Sequence, residues 1–142
     1  MMFEQTVAVD APAEQVWAAY ADVTRWSEWT ASVTSVELLD DATELSIGNR
    51  ARIRQPRLPV AEWTVTELEP GHRWTWVATA PGIRSTATHR VVATGDGTCR
   101  VDSSLTQEGP LGWVIARVYA GLTRRYLAME AAGLKARCES RS

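Results

Sequence analysis

Between residues 33 and 109 apolar and polar side chains alternate with a period of two, and the alternation breaks where turn-forming residues fall. Those breaks are Asp40-Asp41, Gly48-Asn49, Pro56, Pro70-Gly71, Pro81-Gly82 and Gly95-Asp96-Gly97. The pattern predicts antiparallel strands near 33–39, 50–55, 61–69, 73–80, 83–93 and 98–109. A further strand is predicted over Phe3 to Val9, where Val7 and Val9 alternate with Thr6 and Ala8, which brings the sheet to seven strands.

The last segment, Leu111 to about Cys138, contains no proline and reads as one helix of about 40 Å at 1.5 Å per residue. Its predicted apolar stripe is Leu111, Val114, Ile115, Val118, Tyr119, Leu122, Tyr126, Met129 and Gly133, so the helix must lie against something large and apolar. Gly121 costs about 1 kcal/mol relative to alanine in mid-helix and is expected to mark a bend or a close contact. A competing face of Leu127, Ala131, Leu134 and Cys138 is left outward by that stripe; a kink or a modest homodimer contact would account for it. Arg125 falls inside the stripe, where an unpaired charge is costly, and is expected to snorkel out, to pair with an acid such as Glu67, or to meet an anionic ligand.

Between the first strand and the rest of the sheet, Pro12 suits the first turn of a helix, with Asp10 or Ala11 as its N-cap and Glu14 near the positive helix end. Val16, Ala19, Tyr20 and Val23 follow at helical spacing, and a second short helix around Val23 to Glu28 carries Trp26 and Trp29 toward the next strand.

With 142 residues and 45% hydrophobic content the chain can bury one core, and with no repeat or linker it is read as a single domain, 1–142. A net charge of -2 and a pI near 5.7 leave no positive excess for a phosphate backbone, which argues against a nucleic-acid partner. The absence of a signal-peptide pattern and of a span near 20 apolar residues predicts a cytoplasmic protein without membrane insertion. Cys99 and Cys138 have no second Cys or His at metal-ligand spacing, so neither a metal site nor a disulfide framework is expected.

The order of elements, the segment Ala11-Pro12-x-Glu14-x-Val16-Trp17, and Asp22, Trp26 and Trp29 together resemble the START-related (SRPBCC) superfamily of polyketide cyclase/dehydrase-like and lipid-transport proteins. Trp63-Thr64-Val65-Thr66-Glu67-Leu68-Glu69-Pro70-Gly71 and Gly109-Pro110-Leu111-Gly112 extend the resemblance over nearly the whole chain. It implies an α+β helix-grip fold, in which a curved sheet wraps the last helix and leaves a cavity between them. Fold alone does not assign a reaction.

Strand parity gives the interior of such a cavity. If Ile53, Val65, Trp74, Val91 and Val101 face the helix, so do Gln55, Trp63, Trp76, Ser85, Ala87, His89, Ser103, Leu105 and Gln107, while Arg50, Arg52, Arg54, Arg84, Arg90 and Arg100 point outward. A bulge would invert this parity locally. The inner set is apolar with a few polar groups, as in small-molecule pockets. His89 is the candidate catalytic residue, as general acid/base or hydrogen-bond donor to a ligand carbonyl; the alternative is a core histidine satisfied by backbone or by Ser103. Trp63, Trp74 and Trp76 offer flat walls with one indole donor each, or else fill the cavity as core. Tyr119 and Tyr126 are expected on the cavity side of the helix, Ser103 and Gln55 on the sheet side, and Trp29 at the rim, with Trp17 and Trp26 as packing residues.

Nucleophile-elbow, phosphate-loop, zinc-protease and dinucleotide motifs are missing, and the paired acids at Asp40-Asp41 and 67–69 sit at expected surface turns, so no cofactor or metal is called for. Three functions are consistent with these residues. One is a carrier or sensor for a small apolar, lipid-like or aromatic molecule, acting as a monomer or modest homodimer. Another is an aromatase/cyclase-type enzyme using His89 with Tyr119 or Tyr126. The last is a regulatory protein acting through the outward Leu127/Leu134 face.

Overall fold

The computed structural model describes residues 1–140. Strands β1 (Met2–Val9), β2 (Ser35–Leu38), β3 (Arg50–Arg54), β4 (Ala61–Glu69), β5 (Arg73–Ala80), β6 (Ile83–Gly95) and β7 (Thr98–Glu108) form one antiparallel sheet in the order β1-β7-β6-β5-β4-β3-β2. From β2 to β7 each strand pairs with the next one in the chain, and β1 returns to pair with β7 from Val9↔Cys99 to Met2↔Thr106. Helix α1 (Ala13–Ala21) and a 3₁₀ helix (Val23–Glu28) follow β1, and helices α2 (Gly112–Val118) and α3 (Ala120–Glu139) end the chain.

The α1 N-cap is Pro12, not Asp10 or Ala11, and no side chain caps it. Proline needs no N–H partner there, and the Pro12 carbonyl accepts from the N–H groups of Gln15 and Val16. Two bulges shape the sheet, one between Val65 and Glu67 and one between Ala93 and Gly95. The first inverts parity within β4, so that Trp63 and Val65 face inward and, two places after the extra residue, so does Leu68 opposite Trp74. The arginines of β3, β6 and β7 point outward as parity requires, and Arg50, Arg52 and Arg100 make surface ion pairs with Asp40, Glu62 and Asp102.

The C-terminal segment departs from the expectation of one helix with one stripe. It is interrupted at Tyr119, where φ is -100° and ψ is 9°, yet one buried face runs through the break: Gly112 and Ala116 before it lie on the same side as Leu134 and Cys138 after it, while Leu111, Val114 and Val118 of the expected stripe are exposed. Beyond it the buried face is Ala131, Leu134 and Cys138, with Leu127 one turn before, which is the face the unbroken stripe leaves outward. Leu134 is wholly inaccessible, so the apolar surface invoked for a dimer or a regulatory partner does not exist on α3. Leu122, Arg125 and Met129 instead border a groove beside Pro56 and Arg57, with Arg125 exposed; Glu67 is taken by Arg73. Gly121 has open space around it and is no close contact. Gly133 is one: a Cβ there would overlap the Trp29 carbonyl oxygen, so glycine lets α3 approach the loop after the 3₁₀ helix.

Polar clamps fix α3 across the sheet. Lys135 Nζ donates to the Ala8 carbonyl at 2.9 Å, the Asp10 N–H donates to Glu139 at 2.8 Å, and Arg137 pairs with Glu28 at 2.8 Å. The seven-stranded sheet with a long helix laid on its inner face is the helix-grip arrangement. The core between them is largely aromatic: Trp74 meets Trp17 edge-on at 5.7 Å and Tyr20 at 5.0 Å, and Tyr20 stacks on Trp26 at 5.8 Å.

Candidate functional site

A cavity of about 110 Å³ lies between the sheet and α3. Strand parity and the helix phase together decide its walls. Ile53 and Gln55 come from the end of β3, Trp63 from β4, Trp76 from β5, Ala87 and His89 from β6, and Ser103 and Leu105 from β7. From the helical side Thr123, Tyr126, Leu127 and Glu130 of α3 close it, and Trp26 of the 3₁₀ helix forms one end. Trp76 is the central wall, 5.8 Å from Trp26 and 6.0 Å from Trp63 between ring centroids.

Of the residues singled out from sequence, Gln55, Trp63, Trp76, His89, Ser103 and Tyr126 meet at this cavity. Trp74, Tyr119 and Trp29 are not among its lining residues. Trp74 lies one layer deeper, fully buried under His89, with its indole N–H unpartnered. Tyr119 sits at the helix break, and Trp29 borders a surface groove with Arg25 and Arg137. Trp26, expected as packing alone, lines the cavity.

His89 is 5% exposed and stacks on Trp74 at 4.3 Å with 16° between the rings. Burial pushes its imidazole down to about 3, against a smaller opposing effect of a backbone hydrogen bond with Trp74, so the ring is neutral at physiological pH. Its Nδ1 has no partner. Ser103 is its register partner across β6 and β7, yet the Ser103 hydroxyl bonds Tyr20 and not the imidazole. Gln55 is anchored by donation from Nε2 to the Ser32 carbonyl at 3.2 Å. The Tyr126 hydroxyl donates to the Pro56 carbonyl and so ties α3 to the loop after β3.

Two functional groups here have no counterpart among the sequence candidates. Glu130 of α3 faces the cavity, and its Oε1 accepts from the Tyr20 hydroxyl of α1 at 3.1 Å. Tyr20 in turn lies 2.7 Å from Ser103 Oγ. With Glu130 ionised the single phenolic proton goes to the carboxylate, so Ser103 donates to Tyr20 and a hydrogen-bond chain runs Ser103, Tyr20, Glu130. Burial pushes the Glu130 carboxyl up to about 7, an effect the Tyr20 hydrogen bond partly offsets. Tyr20 is held well above its ordinary value, first by burial and then by the Glu130 charge. The acid escaped notice in the sequence because the unbroken stripe put position 130 off the cavity side. The phase set by Leu127, Ala131, Leu134 and Cys138 was the signal that could have found it.

Such an arrangement can surround a small apolar body with indole and aliphatic walls and offer it an imidazole, a hydroxyl and a carboxyl that titrates near neutrality. Among the described residues no cluster of His, Cys, Asp and Glu is suited to hold a metal, and no helix is long and apolar enough to cross a membrane.

Residues 2–139 match the family described as polyketide cyclase / dehydrase and lipid transport. No curated protein matches the sequence. Among solved structures, a START superfamily protein from Mycobacterium smegmatis superposes with a TM-score of 0.74 at 17% identity, covering 99% of this chain and 99% of that one. The Zhui aromatase/cyclase from Streptomyces sp. R1128 gives 0.79 at 18% identity over 99% and 94% of the two chains. Norcoclaurine synthase from Thalictrum flavum, in complex with dopamine and hydroxybenzaldehyde, gives 0.76 at 15% identity over 100% and 88%. At these identities the likeness is one of fold.

Proposed function

We propose that this chain, which belongs to the polyketide cyclase / dehydrase and lipid transport family, binds a small apolar molecule in the cavity between its sheet and α3. The observation that carries the reading is a cavity, partly open to solvent, walled by Trp26, Trp63 and Trp76 at the place where a helix-grip fold would otherwise close a solid core. Its size selects among apolar ligands. A cavity of ~150 Å³ is enough for benzene, and sites for drug-sized molecules run from roughly 300 Å³ upward. At about 110 Å³ the space is smaller than either, so a single-ring compound or a short branched chain would reach out through its open side. A long polyketide or a full lipid would require α3 to move away from the sheet and the Tyr126–Pro56 bond to break. Solved relatives of the same fold include an aromatase/cyclase and a synthase holding one-ring compounds.

The test is to fill the cavity without removing any wall. Ala87 is small, lines the space and sits in the middle of β6, so Ala87→Leu places a side chain where the ligand would lie. Tryptophan-fluorescence titration with toluene is expected to saturate for the parent protein and to lose saturation in Ala87→Leu, with near-UV circular dichroism unchanged. Equal saturation in both proteins would mean that the ligand sits elsewhere.

A second reading, an aromatase/cyclase-type enzyme, is favoured by one observation: a carboxyl near 7 backed by Tyr20 and Ser103. Such a group is matched to neutral pH for taking the α-proton of a carbonyl compound and returning it during dehydration. The neutral His89 then serves as a hydrogen-bonding group, because an imidazole at about 3 carries almost no proton to donate as imidazolium. On this reading Glu130→Gln removes turnover while leaving binding of a substrate analogue intact.

A further inference from the structure

We infer that the cavity is selective for an organic amine, a one-ring or similarly compact ligand whose ammonium group pairs with the Glu130 carboxylate inside the aromatic walls. The inference rests on the ligand-binding reading above and names the chemistry of the occupant.

Charge complementarity carries the argument. The polar side chains that line the cavity are Gln55, His89, Ser103, Ser104, Thr123 and Glu130, together with the Tyr126 hydroxyl. None is a lysine or an arginine, so an anionic ligand would find no cation to offset its desolvation. The charge that the cavity does hold is negative. Among the described residues no Lys or Arg lies within ion-pair distance of Glu130, and its recorded polar contact is the Tyr20 hydroxyl. A half-buried carboxylate with one hydrogen bond and no protein counter-ion leaves room for a cation, and the ammonium group of a ligand would supply it. Indole walls at Trp26, Trp63 and Trp76 favour the same sign of charge, because the faces of aromatic rings attract an ammonium group. A free fatty acid or an aromatic carboxylate is disfavoured on both counts.

The groups facing Glu130 determine how binding responds to pH. They are Tyr20 from α1, His89 from β6, Ser103 from β7 and Tyr126 from α3, with Asp102 acting at longer range through Tyr20. Burial takes His89 down to about 3 and holds Tyr20 well above its ordinary value, so of these three groups Glu130, raised to about 7, is the one that changes charge between pH 5 and pH 8. Lowering the pH through 7 protonates it and removes the partner of the ammonium.

The experiment compares four probes of nearly equal size, benzylamine, benzyl alcohol, benzoate and toluene, by tryptophan-fluorescence titration at high and low pH in the parent protein and in Glu130→Gln. Benzylamine is expected to bind roughly tenfold more tightly than benzyl alcohol at pH 8, with benzoate the weakest. That advantage shrinks by pH 5.5 and disappears in Glu130→Gln, while toluene affinity stays within about twofold, which separates loss of charge from loss of the cavity. Glu130→Asp, which keeps the charge on a shorter stem, retains part of the amine preference. Benzoate binding as tightly as benzylamine, or an amine preference that survives in Glu130→Gln, would overturn the inference and leave the apolar-ligand reading standing. Failure of all four probes would remove that reading and this inference with it.

Discussion

Glu130 and His89 line one cavity, and burial shifts both toward their neutral forms, which gives them opposite effects on stability. Glu130 is raised from 4.5 to about 7, so the folded state holds a proton that the unfolded chain has released, and stability falls as pH rises through that window. His89 is lowered from 6.5 to about 3, so its contribution is complete above 6.5 and is lost as pH falls toward 3. In the window between 4.5 and 6.5 the two slopes oppose each other. Urea unfolding of the parent protein is therefore expected to show a shallow pH dependence there. In Glu130→Gln the histidine acts alone, and stability should drop by about 1.4 kcal/mol per pH unit on acidification. A slope that does not steepen in the variant would mean that Glu130 is solvated and ordinary. His89 was legible in the sequence because strand parity depends on neighbours within the strand. Glu130 was not, because the apolar count followed Leu111, Val114 and Val118, which are exposed, and missed the buried face marked by Ala116, Leu134 and Cys138.

At the scale of elements the lesson concerns which face of the C-terminal segment is buried. Tyr119 departs from helical angles while the hydrogen bonds on either side continue, Tyr119 N–H to Ile115 and Thr123 N–H to Tyr119. An apolar count over Leu111–Cys138 starts from Leu111, Val114 and Val118, whose side chains are exposed, and carries their face on through α3. The result inverts the faces of α3 and puts Tyr119 toward a cavity that it does not line. The two glycines of the segment report on the same geometry. Gly133 is held against the Trp29 backbone, so Gly133→Ala must push α3 off the loop and is expected to lower stability by roughly 1–3 kcal/mol. Gly121 meets nothing, so Gly121→Ala should raise it by a few tenths up to about 1 kcal/mol. Thermal or urea unfolding of the pair checks both signs, and equal effects would contradict this placement of α3. Ahead of the break α2 turns Gly112 and Ala116 inward and leaves larger apolar side chains to solvent, Trp113 at 60% and Val118 at 72% exposure, where the expected stripe called for burial of Val118.

For the molecule as a whole, the strand succession could be read from residues 33 to 109 because period-two alternation and turn chemistry are local properties, and the helix-grip arrangement followed from the family resemblance. The volume of the interior could not be read, since it depends on how Trp26, Trp63, Trp74 and Trp76 divide one space between core and wall. The structure divides them unevenly: Trp74 is core, and the other three are wall. Seven tryptophans make this directly observable, because each contributes one indole N–H resonance. The most direct measurement is a titration of isotopically labelled protein with toluene, following the indole signals assigned by single substitutions. The account predicts saturable shifts of the Trp26, Trp63 and Trp76 resonances, while Trp17 and the exposed Trp113 stay in place. Shifts confined to Trp113, or none at any indole up to the solubility limit of the probe, would contradict a ligand cavity between the sheet and α3.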